Sequence, residues 1–242
     1  MFNKFGAIAA MATAGIIAAQ SASAVSVSVT DFTAASFNAA TATYVTSTTE
    51  DFENAGLEGE VGPSISTAVG SISSLGGTGT GGSVIGTGTE LALRDGPNFG
   101  RTNTPAGGTY FLDSNDTLGM EISLNVGALF DSILFTLTDP ADAGAQVSLI
   151  VDGVSHAILS GLSNATAKLI EIDLGTAVTS AVLKIENSRL NDGFGLDDLT
   201  VGDTGTGIVP AVPLPPGAVL LGGGLLALGA YGRRARRSAG NA

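Results

Sequence analysis

The residues best suited to chemistry in this chain are carboxylates. Glu50-Asp51-Phe52-Glu53 lies near the start of the central region, and Asn191-Asp192-Gly-Phe-Gly-Leu-Asp197-Asp198 lies near its end. In a jelly roll the first and last strands are commonly neighbours, which would gather these acids. Such a gathering is tolerable only if protons or a cation neutralise it. Calcium suits it, because calcium takes six to eight oxygen ligands from carboxylates and carbonyls. The alternative is that these acids are solvated turn residues. Leu196 and Leu199 are three apart, so a regular strand cannot turn both inward; a bulge at Asp197-Asp198 would reconcile them.

Other chemistries find less support. The chain has no Cys, which excludes disulfides, thiolate zinc sites and cysteine nucleophiles. The one histidine, His156, sits just after Asp152-Gly153 with Ser155 beside it. Neighbours on one strand alternate faces, so a Ser-His-Asp triad there is disfavoured. Asp113-Ser-Asn-Asp116 begins like a calcium loop but lacks the Gly at the sixth position and the Glu at the twelfth; it reads as an Asx turn. Asp139-Pro-Ala-Asp142 reads as a turn between strands. The segment 76–89 holds seven Gly but has no G-K-[ST] ending, so it reads as a surface loop and not a phosphate cradle. Twenty-two acids offer many pairs for glycoside hydrolysis, and no pair stands out. With no Trp, a sugar-stacking platform is left to Tyr110, Phe111 and Phe99, with Arg94 and Arg101 able to hydrogen-bond a sugar or pair with Asp95.

Period-two patterns position these residues. Val25, Val27 and Val29 alternate with polar residues, as do Leu118, Met120, Ile122, Leu124 and Val126. Ile133, Phe135 and Leu137 form another set. Val147, Leu149 and Val151 run into Asp152-Gly153, a two-residue hairpin signal, and the chain resumes at Val154. Further strands fall at Leu169–Leu174, Ala181–Glu186 and Phe194–Val201. No window carries a helical stripe, and residues 33–49 read as a strand or an arm. The fold class expected is all-β: an antiparallel sandwich or jelly roll spanning 25–203.

The two ends read as addresses. Lys4, an apolar run over 5–19, and small residues at Ala22 and Ala24 make a secretory signal peptide, 1–24, cut after Ala24. At the other end a Gly/Thr/Pro linker, 204–216, leads to the apolar segment 217–232 and then to Arg233, Arg234, Arg236 and Arg237 in a basic tail, 233–242. Sixteen residues lie just under the roughly 17–25 expected of a spanning helix. The arginines should stay cytoplasmic, which leaves the body on the far side of the membrane. Without the two ends, 5 basic residues face 22 acidic ones, a net charge of -17. That charge argues against nucleic acid and against anionic polymers not bridged by divalent cations.

Val212, Pro213, Leu214, Pro215 and Pro216, followed by the Gly/Leu-rich span and the arginines, resemble the VPLPA-type PEP-CTERM sorting signal of Gram-negative bacteria. Pro216 departs from the usual Ala, and the resemblance covers residues 212–242. It implies an inner-membrane-tethered precursor, processing near the Pro-rich motif by an exosortase, and association with exopolysaccharide and the extracellular matrix. The body more loosely resembles secreted jelly-roll domains of the carbohydrate-binding kind, through an early F-E and a late G-L-D-D-L. That resemblance implies a structural calcium held by Glu53 and Asp198, with Asp197 as substitute. The expectation is thus a non-enzymatic, exported surface or matrix protein. A calcium-dependent carbohydrate-binding module is the alternative, and a carboxylate-pair glycoside hydrolase the third.

Overall fold

The structure, a computed structural model, describes residues 25–79, 84–104, 108–140, 146–151, 153–162, 166–187 and 193–205. The signal segment 1–24, the sorting motif Val212–Pro216, the apolar span 217–232 and the arginine tail lie outside the described residues. Among the described residues no helix is long and apolar enough to cross a membrane.

Among the described residues fourteen strands and one helix follow in chain order: β1 (Ser26–Asp31), α1 (Ala34–Thr41), β2 (Thr46–Glu50), β3 (Gly59–Glu60), β4 (Ser64–Thr67), β5 (Gly70–Ser74), β6 (Ala92–Arg94), β7 (Phe111–Asp113), β8 (Gly119–Leu124), β9 (Phe130–Thr138), β10 (Gln146–Val151), β11 (Val154–Leu159), β12 (Ala167–Val178), β13 (Ala181–Glu186) and β14 (Gly195–Asp203). They make two antiparallel sheets, a β-sandwich. One runs β1-β12-β9-β14-β7-β6-β3, with β2 also paired to β14; the other runs β11-β10-β13-β8-β5-β4. From β8 onward the chain passes repeatedly between the sheets, with β10 and β11 a hairpin within the second, so both walls of one core come from this stretch.

That core follows from the alternation. Ile133, Phe135 and Leu137 of β9 and Ile170 and Ile172 of β12 meet Met120, Ile122 and Leu124 of β8 and Leu183 and Ile185 of β13. All are essentially without solvent contact. The two-residue turn after Val151 is a hairpin, since Val151 pairs with Val154 across it. Gly153 there has φ +77°, which the tight turn requires.

One expectation is corrected. Residues 33–49 are neither one strand nor an arm: they hold α1 and then β2. A capping box starts α1, Thr33 Oγ1 accepting from Ser36 N and Ser36 Oγ from Thr33 N. Only Phe37 of the helix is buried, packed with Leu134 and Leu169 on the side of the first sheet away from the core. One buried side chain in eight residues leaves no stripe to detect. The outer residues of β9 are covered as well, so the whole strand is buried rather than half of it.

Candidate functional site

The acidic segments from opposite ends of the body do meet. β2 pairs antiparallel with β14, setting Glu50 opposite Leu199. On its other side β14 pairs with β9, and there the register slips. Asp197 lies opposite Thr136 but Thr200 opposite Leu134, so three steps on β14 match two on β9. This is the bulge that Leu196 and Leu199 require: both are fully buried in the core. Asp198 takes the strained backbone, with φ +52°.

Asp197 and Asp198 are themselves buried, at 0% and 1% exposure. Asp197 shares its face with Thr136, directly across the ladder, and the segment ending at Thr104 closes over it. Thr104 N donates to Asp197 Oδ2 at 2.8 Å, and Asp198 N donates to Asp197 Oδ1 at 2.8 Å. Thr104 Oγ1 lies 2.9 Å from Asp197 Oδ2 and 2.6 Å from Asp198 Oδ2. A hydroxyl carries one proton, so it cannot donate to both carboxylates. One of the two contacts needs a proton on the carboxyl group, or a cation beside it.

The electrostatics choose the same residue. Burial first, and the neighbouring Asp198 charge second, raise the Asp197 pKa from 3.8 to about 7, against the lowering effect of its bonds from Thr104 and the Asp198 amide. Asp198 is also raised, by burial and by the charge of Asp51, with the Thr104 hydroxyl opposing. Below neutrality the consistent arrangement is Asp197 protonated and donating to Thr104 Oγ1, which donates on to Asp198. Thr136 Oγ1, beside Asp197 in the register, is buried with no hydrogen-bond partner.

Glu53 is placed on the adjoining turn by an unusual residue. Phe52 has φ +59° and is wholly buried, which drives its ring into the core and turns its acidic neighbours outward. Glu50 holds the turn: Oε1 accepts from Phe52 N at 2.8 Å and Oε2 from Ala68 N at 2.7 Å. Glu53 Oε1 accepts the amides of Thr109 and Tyr110. Gly108 passes so close that a Cβ there would lie 2.0 Å from the Glu53 carboxyl carbon. Thr104 therefore lies against Asp197 and Asp198, and residues 108–110 lie against Glu53. Among the described residues no three carboxylate or imidazole groups converge as a metal-ligand set. The oxygen donors that do gather are those of Asp197, Asp198 and Thr104, with the unpartnered Thr136 hydroxyl beside them. They fit a cation in part, while Glu53 Oε1 is engaged with the Thr109 and Tyr110 amides.

The remaining sequence candidates separate cleanly. Asp113 makes the expected Asx turn, accepting from Asn115 N at 2.8 Å. It also binds both arginines: Arg94 Nε at Oδ2, and Arg101 Nη1 at Oδ1 at 2.7 Å. Neither arginine is the exposed sugar donor or partner of Asp95 considered from sequence; both are buried around one carboxylate. Asn115 ties the Gly-rich loop to the body through Ile85 and the carbonyl of Glu90. His156 stands half-buried on the edge strand β11, opposite Leu149. Phe111 is a core residue, Tyr110 is half-buried and Phe99 is exposed. The signal-cleavage, sorting-motif and arginine-stop residues lie outside the described residues. Sequence reasoning missed Thr104: a threonine 93 residues from its partner in an Asn-Thr-Pro stretch carries no local mark.

No protein-family model matches the chain, and no curated protein is similar to it. Among solved structures it is similar to the K2 cleaved adhesin domain of Lys-gingipain, with a TM-score of 0.31 and 10% identity over 64% of this chain and 99% of that one.

Proposed function

We propose that the protein is an exported, non-enzymatic component of the cell surface or extracellular matrix, delivered by a PEP-CTERM-like tail and associated with exopolysaccharide. The observation that carries the reading is the order of parts at the C-terminus. Val212-Pro-Leu-Pro-Pro216, an uncharged apolar run and four arginines follow one another after a sandwich that ends near residue 205. The arginines stop transfer, the apolar run holds the precursor in the inner membrane, and an exosortase-type enzyme acts near the Pro-rich motif. The strongly acidic sandwich is the cargo. Fractionation of producing cells tests this. The intact chain should accumulate in the surface or matrix fraction, and a chain lacking 212–242 should leave it. Identical distributions would remove the sorting role.

A calcium-dependent carbohydrate-binding module is the second reading, favoured by the Asp197–Thr104–Asp198 contacts. Calcium would supply the positive charge that the two buried carboxylates otherwise take from a proton. Asp197 and Asp198 would hold it, while Glu53 Oε1 already accepts the Thr109 and Tyr110 amides. A cation bound only by the folded state raises the melting temperature by mass action. Millimolar calcium should do so and EDTA reverse it; a melting curve indifferent to both removes the cation. A carboxylate-pair glycoside hydrolase is the third reading, and hydrolysis of polysaccharide by the purified protein at ordinary enzyme rates would favour it over the other two.

A further inference from the structure

The turn Asn98–Arg101 presents a side chain that folding does not account for. Asn98 and Arg101 exchange both backbone hydrogen bonds, at 2.9 and 3.0 Å, closing a two-residue turn on Phe99 and Gly100. Both turn residues have positive φ, +48° and +94°. Turns of this type favour Asn, Asp or Gly first; a bulky aromatic there is strained. Phe99 is also 78% exposed, so burial returns little against that strain.

The turn beneath the ring is firmly held. The Arg101 guanidinium bonds to the fully buried Asp113, and its Nε reaches Asn98 O at 3.3 Å. Thr102 N donates to Thr138 Oγ1 at 3.3 Å. Gly100 lies so near Asp139 that a Cβ would stand 2.8 Å from its carboxylate. The ring is therefore held out in water on a fixed mount, beside the exposed Pro97. An aromatic positioned in advance loses little freedom on binding.

We propose that Phe99 is a stacking platform for the C–H face of a neutral sugar ring in a polysaccharide. This rests on the matrix reading above and names its ligand class. Neutrality follows from charge. The body carries 5 basic against 22 acidic residues, and Arg94, Arg101, Lys168 and Lys184 are already in ion pairs. An anionic polymer or membrane is repelled, whereas the polarised C–H groups of a neutral ring suit the negative face of a phenyl group. Phe111 is locked in the core and Tyr110 is half-buried, so Phe99 is the fully presented ring of the three.

Affinity electrophoresis of the full-length chain in mild detergent tests this, with hydroxyethylcellulose, laminarin or galactomannan in the native gel and alginate as the anionic comparison. At least one neutral polymer should retard the wild type, and alginate should not. Phe99→Ala should weaken retention roughly three- to tenfold, the size of one aromatic contact, and Phe99→Tyr should keep it. Phe99→Asn suits the turn, so it should raise the melting temperature while losing retention, a split that a purely structural Phe99 does not produce. Equal retention of wild type and Phe99→Ala overturns the role of Phe99 and leaves polysaccharide association standing. An unretarded wild type in all three neutral polymers overturns the proposal, while cell fractionation decides the surface location separately. A dimer lost in Phe99→Ala, without retention on any polymer, assigns the ring to a second copy and likewise overturns it.

Discussion

Replacing Asp197 by Asn should change how stability depends on pH. The folded-state pKa of Asp197 is raised from 3.8 to about 7 by burial and by Asp198. In the unfolded chain the group returns to an ordinary carboxylate. Between these two values the folded state holds a proton that the unfolded state has released. The stabilisation is therefore complete below about pH 4 and lost as pH rises through 7. At 1.36 kcal/mol per pH unit, the rise corresponds to an upper limit of about 4 kcal/mol. Asn accepts from one of the two amides that bind Asp197, those of Thr104 and Asp198, and its NH₂ group faces the other. The substitution should thus cost about 1–2 kcal/mol at pH 5, where the wild-type carboxyl is neutral. At pH 8 it should match or exceed the wild type. Urea unfolding of both proteins between pH 4.5 and 8.5, in EDTA, measures the two curves. A wild type whose stability does not fall between pH 5 and 7.5 relative to Asp197→Asn would refute the reasoning about the pair.

Three further outcomes follow from the packing. Asp113→Ala strips the shared partner from Arg94 and Arg101, all three buried, and should cost about 3–5 kcal/mol by chemical denaturation. Gly119→Ala should destabilise strongly, because a Cβ there would lie 2.0 Å from Ile185 O at φ +119°; a change in melting temperature under 2 °C would contradict the close approach of β8 and β13. Phe37→Ala should cost about 3 kcal/mol, since that ring is the one buried side chain tying α1 to Leu134 and Leu169, and hydrogen exchange should show α1 opening first.

The central strands could be read from the sequence because their alternation is long. Met120, Ile122 and Leu124, and Ile133, Phe135 and Leu137, each mark one face over several residues. The bulge was readable as well: the three-residue spacing of Leu196 and Leu199, both large and apolar, admits few other geometries. The strands β6 and β7 were not, since Ala92–Arg94 and Phe111–Asp113 are too short for a period to show. The β4–β5 hairpin is hidden by its serines, with Ile65 and Ile72 its inward residues in the strands themselves. Arg94 and Arg101 lie 19 and 12 residues from Asp113, and only the pairing of β6 with β7 and the Asn98–Arg101 turn bring them to it. The candidate site divides in the same way. Its acids announce themselves by clustering, whereas Thr104, which joins them, is fixed by tertiary structure alone.

Intact-mass analysis of the protein recovered from the cell surface and the medium tests the central claim most directly. The account predicts a chain beginning at Val25 and processed near Val212–Pro216, with Arg233–Arg237 gone. Recovery of the unprocessed chain, Met1 to Ala242, from the cytosol with nothing at the surface would contradict it.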